Sequence, residues 1–326
     1  MLNRLYKNIK KYILLFNLVI LLSFRQDIKL LKEKKIINYS DYENKEFAII
    51  KRIECRHCGL FSFYKVYLGC INSFIRKGFI PIIDLQSYEN VFNGFNINRS
   101  NTNPWEYFFN QPFGYTLNNV KRKAKKIKYF NCKSSNFMPG GNIFYNKTLL
   151  NFWHKTAINY IPIKENVLLE VKMIIKKFFK NSHNILGILI RGTDFISKKP
   201  KGHAIPPTSS MVIKDIKKIN MENNYDWFFI STEDDLIREK FIKEFGYKLK
   251  YLIYKKINYN YGKKQYLGYD ENIKGNIKFI KIYLINMIIL SKCIDIITAI
   301  TSGAVGVFIF SNGFRYSKVY NLGSYK

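Results

Sequence analysis

Cysteine is scarce in this sequence, and so is negative charge. The cysteines stand at positions 55, 58, 70, 132 and 293 of 326 residues. An odd number at irregular spacing excludes a disulfide framework and reads as reduced thiols in a cytoplasmic protein. Cys55-Arg56-His57-Cys58 has the spacing of half a zinc knuckle, but no second Cys/His pair follows at a matching distance, so no metal site is expected. Long apolar runs are also missing. The run YILLFNLVILLSF at 12–24 follows Arg4, Lys7, Lys10 and Lys11 in the manner of a secretory leader, without a small-residue cleavage site. It is shorter than the about 20 residues that a spanning helix needs. Residues 1–40 are therefore expected to form a basic, apolar segment with a buried or interfacial helix, which would contact the inner face of the cytoplasmic membrane.

Asp and Glu number 23 against 54 Lys and Arg, giving a formal charge of +31. Lysine, isoleucine, asparagine and tyrosine are abundant together, as AT-rich codons produce, and the basic residues are spread along the chain. The densest run, KRKAKKIK at 121–128, is short and has no recognition pattern beside it. Nucleic acid is thus not an expected partner, while a basic surface still attracts anionic membranes and phosphorylated substrates. With 47% hydrophobic and 17% aromatic residues, the chain is globular.

Several phosphate-binding signatures are absent as well. GxxxxGK[ST], a GxGxxG after the first strand and the protein-kinase set are not found, which excludes P-loop enzymes, ordinary dinucleotide-binding domains and kinases. There is no D-x-D pair of the kind that holds a divalent ion against a sugar-nucleotide diphosphate.

What is present is alternation. EFAIIKRI (46–53) and FIPIIDL (79–85) read as strands around a helix at 61–78, and NPWEYFF (103–109) as a short helix opened by proline. Farther on, strands at 184–191, 225–232, 248–254, 295–300 and 319–323 alternate with helices at 207–224, 233–246 and 276–293, and a last helix follows 301. Such alternation predicts an α/β fold with parallel, doubly wound sheets, which bind ligands beyond the carboxyl ends of their strands.

Polar clusters stand at those ends: Arg191-Gly192-Thr193-Asp194, Ser231-Thr232-Glu233-Asp234-Asp235 and Thr301-Ser302-Gly303. Helix capping accounts for the second and third. It does not account for Arg191, because a charge at the tip of a buried strand is costly unless it meets an anion. An arginine fork together with a helix N-terminus suits a diphosphate, and Asp234 would accept hydrogen bonds from a base or ribose.

The strand ending Ile190-Arg191-Gly192-Thr193-Asp194 resembles the H-x-R-R-T-D motif of the superfamily of α-1,6-, α-1,2- and protein O-fucosyltransferases. The resemblance continues through KPKGHAIP (199–206), FISTED (229–234) and LSKC (290–293) to Thr301-Ser302-Gly303, with NPWEYFFNQP (103–112) also similar to bacterial members. It implies a GT-B fold, two Rossmann-like domains facing across a cleft, here an acceptor-side domain at 41–165 and a nucleotide-sugar domain at 166–326. It implies inverting transfer of fucose from GDP-fucose to a glycan or lipid-linked glycan in surface polysaccharide or lipopolysaccharide assembly, with no cofactor or metal required. Arg191 falls on the diphosphate arginine and Asp194 on the residue that orients it. Thr232, Asp234 and Asp235 fall in the nucleotide region, and Thr301, Ser302 and Gly303 near the phosphates. The motif's histidine is replaced by Leu189 and its second arginine by Gly192, so His203 or Lys201 would supply the missing charge. Asp84 and Glu106 are the candidate bases, and Trp105 and Tyr107 candidate sugar-stacking rings. A transferase using another sugar nucleotide and a non-enzymatic basic module that binds nucleic acid or membrane remain the alternatives.

Overall fold

The computed structural model describes residues 42–99, 101–133, 137–253 and 266–326. The N-terminal segment 1–40, with its apolar run 12–24, lies outside the described residues, as does the last residue of the strand expected at 248–254. In chain order the elements are β1 (Glu46–Lys51), α1 (Leu60–Arg76), β2 (Ile80–Ile83), α2 (Leu117–Lys123), β3 (Lys126–Asn131), α3 (Lys147–Tyr160), α4 (Glu165–Phe179), β4 (Ile185–Leu189), α5 (Thr193–Ser197), α6 (Ser209–Asn223), β5 (Trp227–Ser231), α7 (Asp235–Phe245), β6 (Leu249–Lys250), α8 (Ile277–Leu290), β7 (Asp295–Ala299), α9 (Ser302–Ser311) and β8 (Tyr316–Tyr320).

The strands form two parallel sheets, a three-stranded one in the order β2-β1-β3 and a five-stranded one in the order β6-β5-β4-β7-β8. In the larger sheet the chain runs outward from β4 through β5 to β6, then returns to the other side of β4 with β7. The topological switch therefore lies between β4 and β7, which pair Leu186 with Asp295 and Ile188 with Ile297. A crevice opens at such a switch beyond the strand ends. The residues that follow these two strands are Arg191 and the Thr301-Ser302-Gly303 cluster.

The elements form for local reasons. β4 reads ILGIL and is buried along its length, as a central parallel strand must be. α1 turns out of its last residues through Gly78 at φ +81°, a conformation that suits glycine. α8 is buried on nearly every side from Leu284 to Leu290, so it is a core helix rather than an amphipathic one. One apolar cluster includes Phe47 and Ile49 of the small sheet, Phe61 and Leu68 of α1, Leu284 of α8, Ile296 of β7 and Val307 of α9. α9 packs closely on α1, and a Cβ added at Gly306 would stand 2.0 Å from Phe61.

Some expectations are corrected. The basic run 121–128 spans two elements: it closes α2 and begins the edge strand β3, with Lys128 of β3 meeting Glu46 of β1 at 3.6 Å and Lys125, just before β3, meeting Glu43 at 3.0 Å. Edge strands commonly carry such lysines. The final strand is β8 at Tyr316–Tyr320 rather than 319–323, because it starts where Arg315 and the Tyr316 N–H meet the buried Asp295. Cys55 and Cys58 are joined by a disulfide, against the expectation of reduced thiols throughout, because the turn after β1 brings the CxxC sulfurs together. Cys70, Cys132 and Cys293 are free. The two bridged sulfurs and a His57 ring nitrogen lie within 4.8 Å of one another, but a metal would need the sulfurs as thiolates, and the disulfide withholds both. Among the described residues no helix is long and apolar enough to cross a membrane.

Candidate active site

The tip of β4 is built around one arginine. Arg191 follows the buried Ile190, and its side chain is 19% exposed. Its Nη2 donates to Asp194 Oδ1 at 2.8 Å, its Nη1 lies 3.5 Å from Glu233 Oε1, and its guanidinium lies over the Phe195 ring at 4.7 Å. The same Glu233 oxygen accepts from the Gly192 N–H at 2.9 Å and the Thr193 hydroxyl at 3.1 Å. Asp234 Oδ2 accepts from the Thr193 N–H at 3.1 Å. These carboxylates hold Thr193 at φ +43°, a costly conformation for a β-branched residue. The motif is thus clamped before any ligand arrives.

Gly192 is fixed by the same packing. A Cβ there would lie 2.2 Å from Asp234 Oδ2 and 2.5 Å from Asp234 Cβ. Nor is Asp234 free to retreat, since its Oδ1 accepts from Leu236 N–H at 3.0 Å and Ile237 N–H at 3.3 Å and so caps α7. A longer side chain, arginine included, has no room at this position.

The crevice beyond β4 and β7 is a cavity of about 850 Å³. Its lining includes Arg191, Asp194, His203, Thr301, Ser302 and Gly303 from the sequence prediction, and also His57, Lys65, Glu233 and Tyr283. Thr301 Oγ1 accepts from Ala304 N–H at 3.1 Å and caps α9. The first-turn N–H groups of a helix have no intrahelical acceptor and carry the positive end of its dipole. Here Ser302 and Gly303 bring that end to the cavity wall. Gly303 is required for the approach, since a Cβ would stand 2.7 Å from Tyr283 Oη. Burial pushes the Tyr283 phenol up to about 12, so it remains a neutral donor. Burial also pushes the Glu233 carboxyl up, opposed by Arg191 and reinforced by Asp194.

The loop after Arg191 is tied down. Gly202 N–H donates to Tyr325 O at 2.8 Å, Tyr325 N–H to His203 O at 3.0 Å, and Ile205 N–H to Gly323 O at 3.0 Å. His203 sits edge-on to Phe195 at 5.3 Å. Partial desolvation lowers its pKa, Asp194 works against this, and the charges of Lys65 and Arg191 lower it further. Lys201 is exposed and is not part of the lining.

Other sequence candidates stand elsewhere. Thr232, Asp234 and Asp235 lie outside the lining: Thr232 Oγ1 accepts from Asp234 N–H at 3.2 Å, and Asp235 pairs with Arg238. β5 ends at Ser231 and the chain turns there into α7, so Ser231 and Glu233 line the cavity while Asp234 caps the helix and Asp235 opens it. Asp84, fully buried, accepts from Gln86 N–H and Ser87 N–H at 2.9 Å each and meets Lys121 at 3.6 Å. Glu106 accepts from Leu117 N–H at 2.9 Å and Gln111 Nε2 at 3.0 Å. Trp105 is fully buried and stacked on Phe109 at 4.5 Å. The structure brings none of Asp84, Glu106, Trp105 and Tyr107 to the cavity. His57 reaches it instead, from the turn between β1 and α1. Its ring stacks with Tyr266 and Tyr269, and its Nδ1 lies 3.2 Å from Tyr269 Oη. Burial lowers its pKa, with Lys198 and Arg52 adding to the effect.

No protein-family model matches the chain, and no curated protein matches it. The chain is similar to the solved structure of NodZ alpha-1,6-fucosyltransferase co-crystallized with GDP, at TM-score 0.45 and 12% identity over 78% of this chain and 88% of that one. It is similar to fucosyltransferase NodZ from Bradyrhizobium at TM-score 0.45 and 13% identity, again over 78% and 88%. It is also similar to POFUT1 in complex with GDP at TM-score 0.44 and 9% identity, over 85% and 98%. At such scores a likeness assigns neither fold nor function by itself. The chemistry of the cavity has to carry the functional reading.

Proposed function

We propose that the protein is an inverting glycosyltransferase of GT-B architecture that transfers fucose from GDP-fucose to a glycan acceptor without a divalent ion. Units at 41–165 and 166–326 would supply the acceptor and donor sides. The observation that carries this reading is a preformed arginine fork beside a helix N-terminus in one cavity, at the switch point of a parallel sheet. That pairing suits a diphosphate. The order of motifs along the sequence supports a sugar-nucleotide donor.

In this mechanism the acceptor oxygen attacks the anomeric carbon, and the carbon–oxygen bond to the diphosphate breaks. The electron pair leaves with the diphosphate, and Arg191 with the first turn of α9 stabilises its growing charge. The acceptor proton goes to His57, a ring held neutral at pH 7 by its lowered pKa. His57→Gln should lower turnover by about 10²–10⁴-fold with donor affinity unchanged; unaltered turnover would remove histidine from this role.

Titration calorimetry with GDP, UDP, CDP and GDP-fucose, first with a chelator and then with magnesium, tests the donor. Selective GDP binding that survives the chelator supports the reading. Selection of another base keeps the transferase and changes the donor, as Leu189 in place of the motif's histidine would permit. Absence of nucleotide binding overturns it.

The lowered pKa of His203 sets a pH dependence. The ring is neutral at pH 7 and gains its proton only below its ordinary value of 6.5. An anion beside it favours the charged form, so diphosphate affinity should rise as pH falls below 6.5. Comparing wild type with His203→Gln across pH 5–8 cancels the ligand's own ionisation. Parallel curves would show that His203 does not touch the anion.

A further inference from the structure

We infer that Lys65 is the second cationic contact to the donor's diphosphate, reaching it from α1 in place of the arginine for which Gly192 leaves no room. This rests on the donor reading above. Lys65 is the lone charged residue of α1 before Arg76, in a helix otherwise read as LFSFY–VYLGCINSFI. It lines the cavity. Among the described residues nothing accepts a hydrogen bond from its ammonium and no carboxylate pairs with it. Desolvation and the nearby Arg52 lower its pKa. Lys65 is partly buried, and an anionic ligand in the cavity would offset the desolvation of its ammonium.

Charge balance points the same way. Arg191 is paired with Asp194 and Glu233, which offset part of its charge, so a second cation would add to its hold on a diphosphate. Those carboxylates are also committed to Arg191, Gly192 and Thr193, which leaves no acidic partner for Lys65. Lys65, Arg191 and His203 line the same cavity. The helix lysine and the strand arginine thus come from different sheets' surroundings and would close on one ligand.

The test uses the full chain with Lys65→Met, which keeps the length of the side chain, and Lys65→Arg, which keeps the charge. Binding of GDP, GMP and guanosine is measured for each, or of the matching series for whichever base the wild type selects. Losing one charge-assisted hydrogen bond weakens binding about ten- to a hundredfold. Lys65→Met should weaken GDP by that much, leave guanosine unchanged and flatten the salt dependence of GDP binding, while Lys65→Arg restores most of the affinity. Equal GDP affinity in wild type and Lys65→Met overturns the inference while leaving the donor reading intact. Equal losses for GDP and guanosine would mean a structural role for Lys65 and overturn it too. A wild type that binds no nucleoside diphosphate overturns the donor reading, and this inference with it.

Discussion

Replacing Arg191 by lysine should lower kcat/KM for the nucleotide-sugar donor by about 10²–10³-fold, the effect of removing one preorganised donor from a developing negative charge. Lysine keeps the charge but loses the planar fork, so it cannot hold the diphosphate and the two carboxylates in one geometry. Thermal unfolding should shift little. The alanine variant should behave differently, because Arg191 is also the counter-ion of Asp194 and Glu233. Removing it should cost about 1–3 kcal/mol, less than the about 3–5 kcal/mol of breaking a fully buried pair, since the guanidinium is partly exposed. The pH dependence has a definite sign. Burial already holds the Glu233 pKa above its ordinary 4.5, and losing Arg191 raises it further. The folded state then binds more protons than the unfolded one above pH 4.5, so stability is lost as pH rises and recovered on acidification. Denaturation of Arg191→Ala at pH 5 and pH 8 reads this directly. Full donor turnover in Arg191→Lys would remove Arg191 from the diphosphate.

The largest effect on stability is expected at Gly192. A Cβ at 2.2 Å from Asp234 Oδ2 must displace a side chain that caps α7 and holds Thr193. Overpacking costs about 1–3 kcal/mol, and a lost N-cap about 1 more. Gly192→Ala should therefore destabilise by about 2–4 kcal/mol in denaturant titration and weaken donor binding, because Arg191 is the adjacent residue. Arginine at this position, with a longer side chain, should be worse still. Asp234→Ala makes room, so the double variant should lose less than the sum of the single changes. An additive result, or a fully stable Gly192→Ala, would show that the contact does not constrain the loop.

Much of the architecture was readable in advance. The apolar runs of β1, β4, β5 and β7 and the helices between them announce parallel sheets, because a strand covered on both faces has to be apolar throughout. Arg191 at the end of NILGILIR announced a negative partner, because an uncompensated charge at a buried strand tip is too costly to keep; within the chain that partner is Asp194 with Glu233. Thr301 and Ser302 were legible as a helix start, and Thr301 caps α9.

Which polar neighbour faces the ligand was a different matter. Thr232, Glu233, Asp234 and Asp235 are consecutive, and composition does not rank them. The backbone direction at the end of β5 turns Glu233 inward and gives Asp234 to a helix cap. Lys65 had a signal, a single charge in an apolar helix, but its direction depends on how α1 meets α9. His57 and the disulfide beside it lie in a turn whose path no periodicity encodes. The sequence by itself determined the apolar strands and the helices between them in the second half, with the residues at their tips, because hydrophobic period and buried charge are local costs; the helices at Lys147–Tyr160 and Glu165–Phe179 and the exposed edge strand Lys126–Asn131 were not read from it. Only the tertiary structure decided that Lys65, His57, Glu233 and Arg191 share one cavity. That depends on the return of β7 beside β4 and on the packing of one sheet's helices against the other's, which are contacts between residues far apart in the chain.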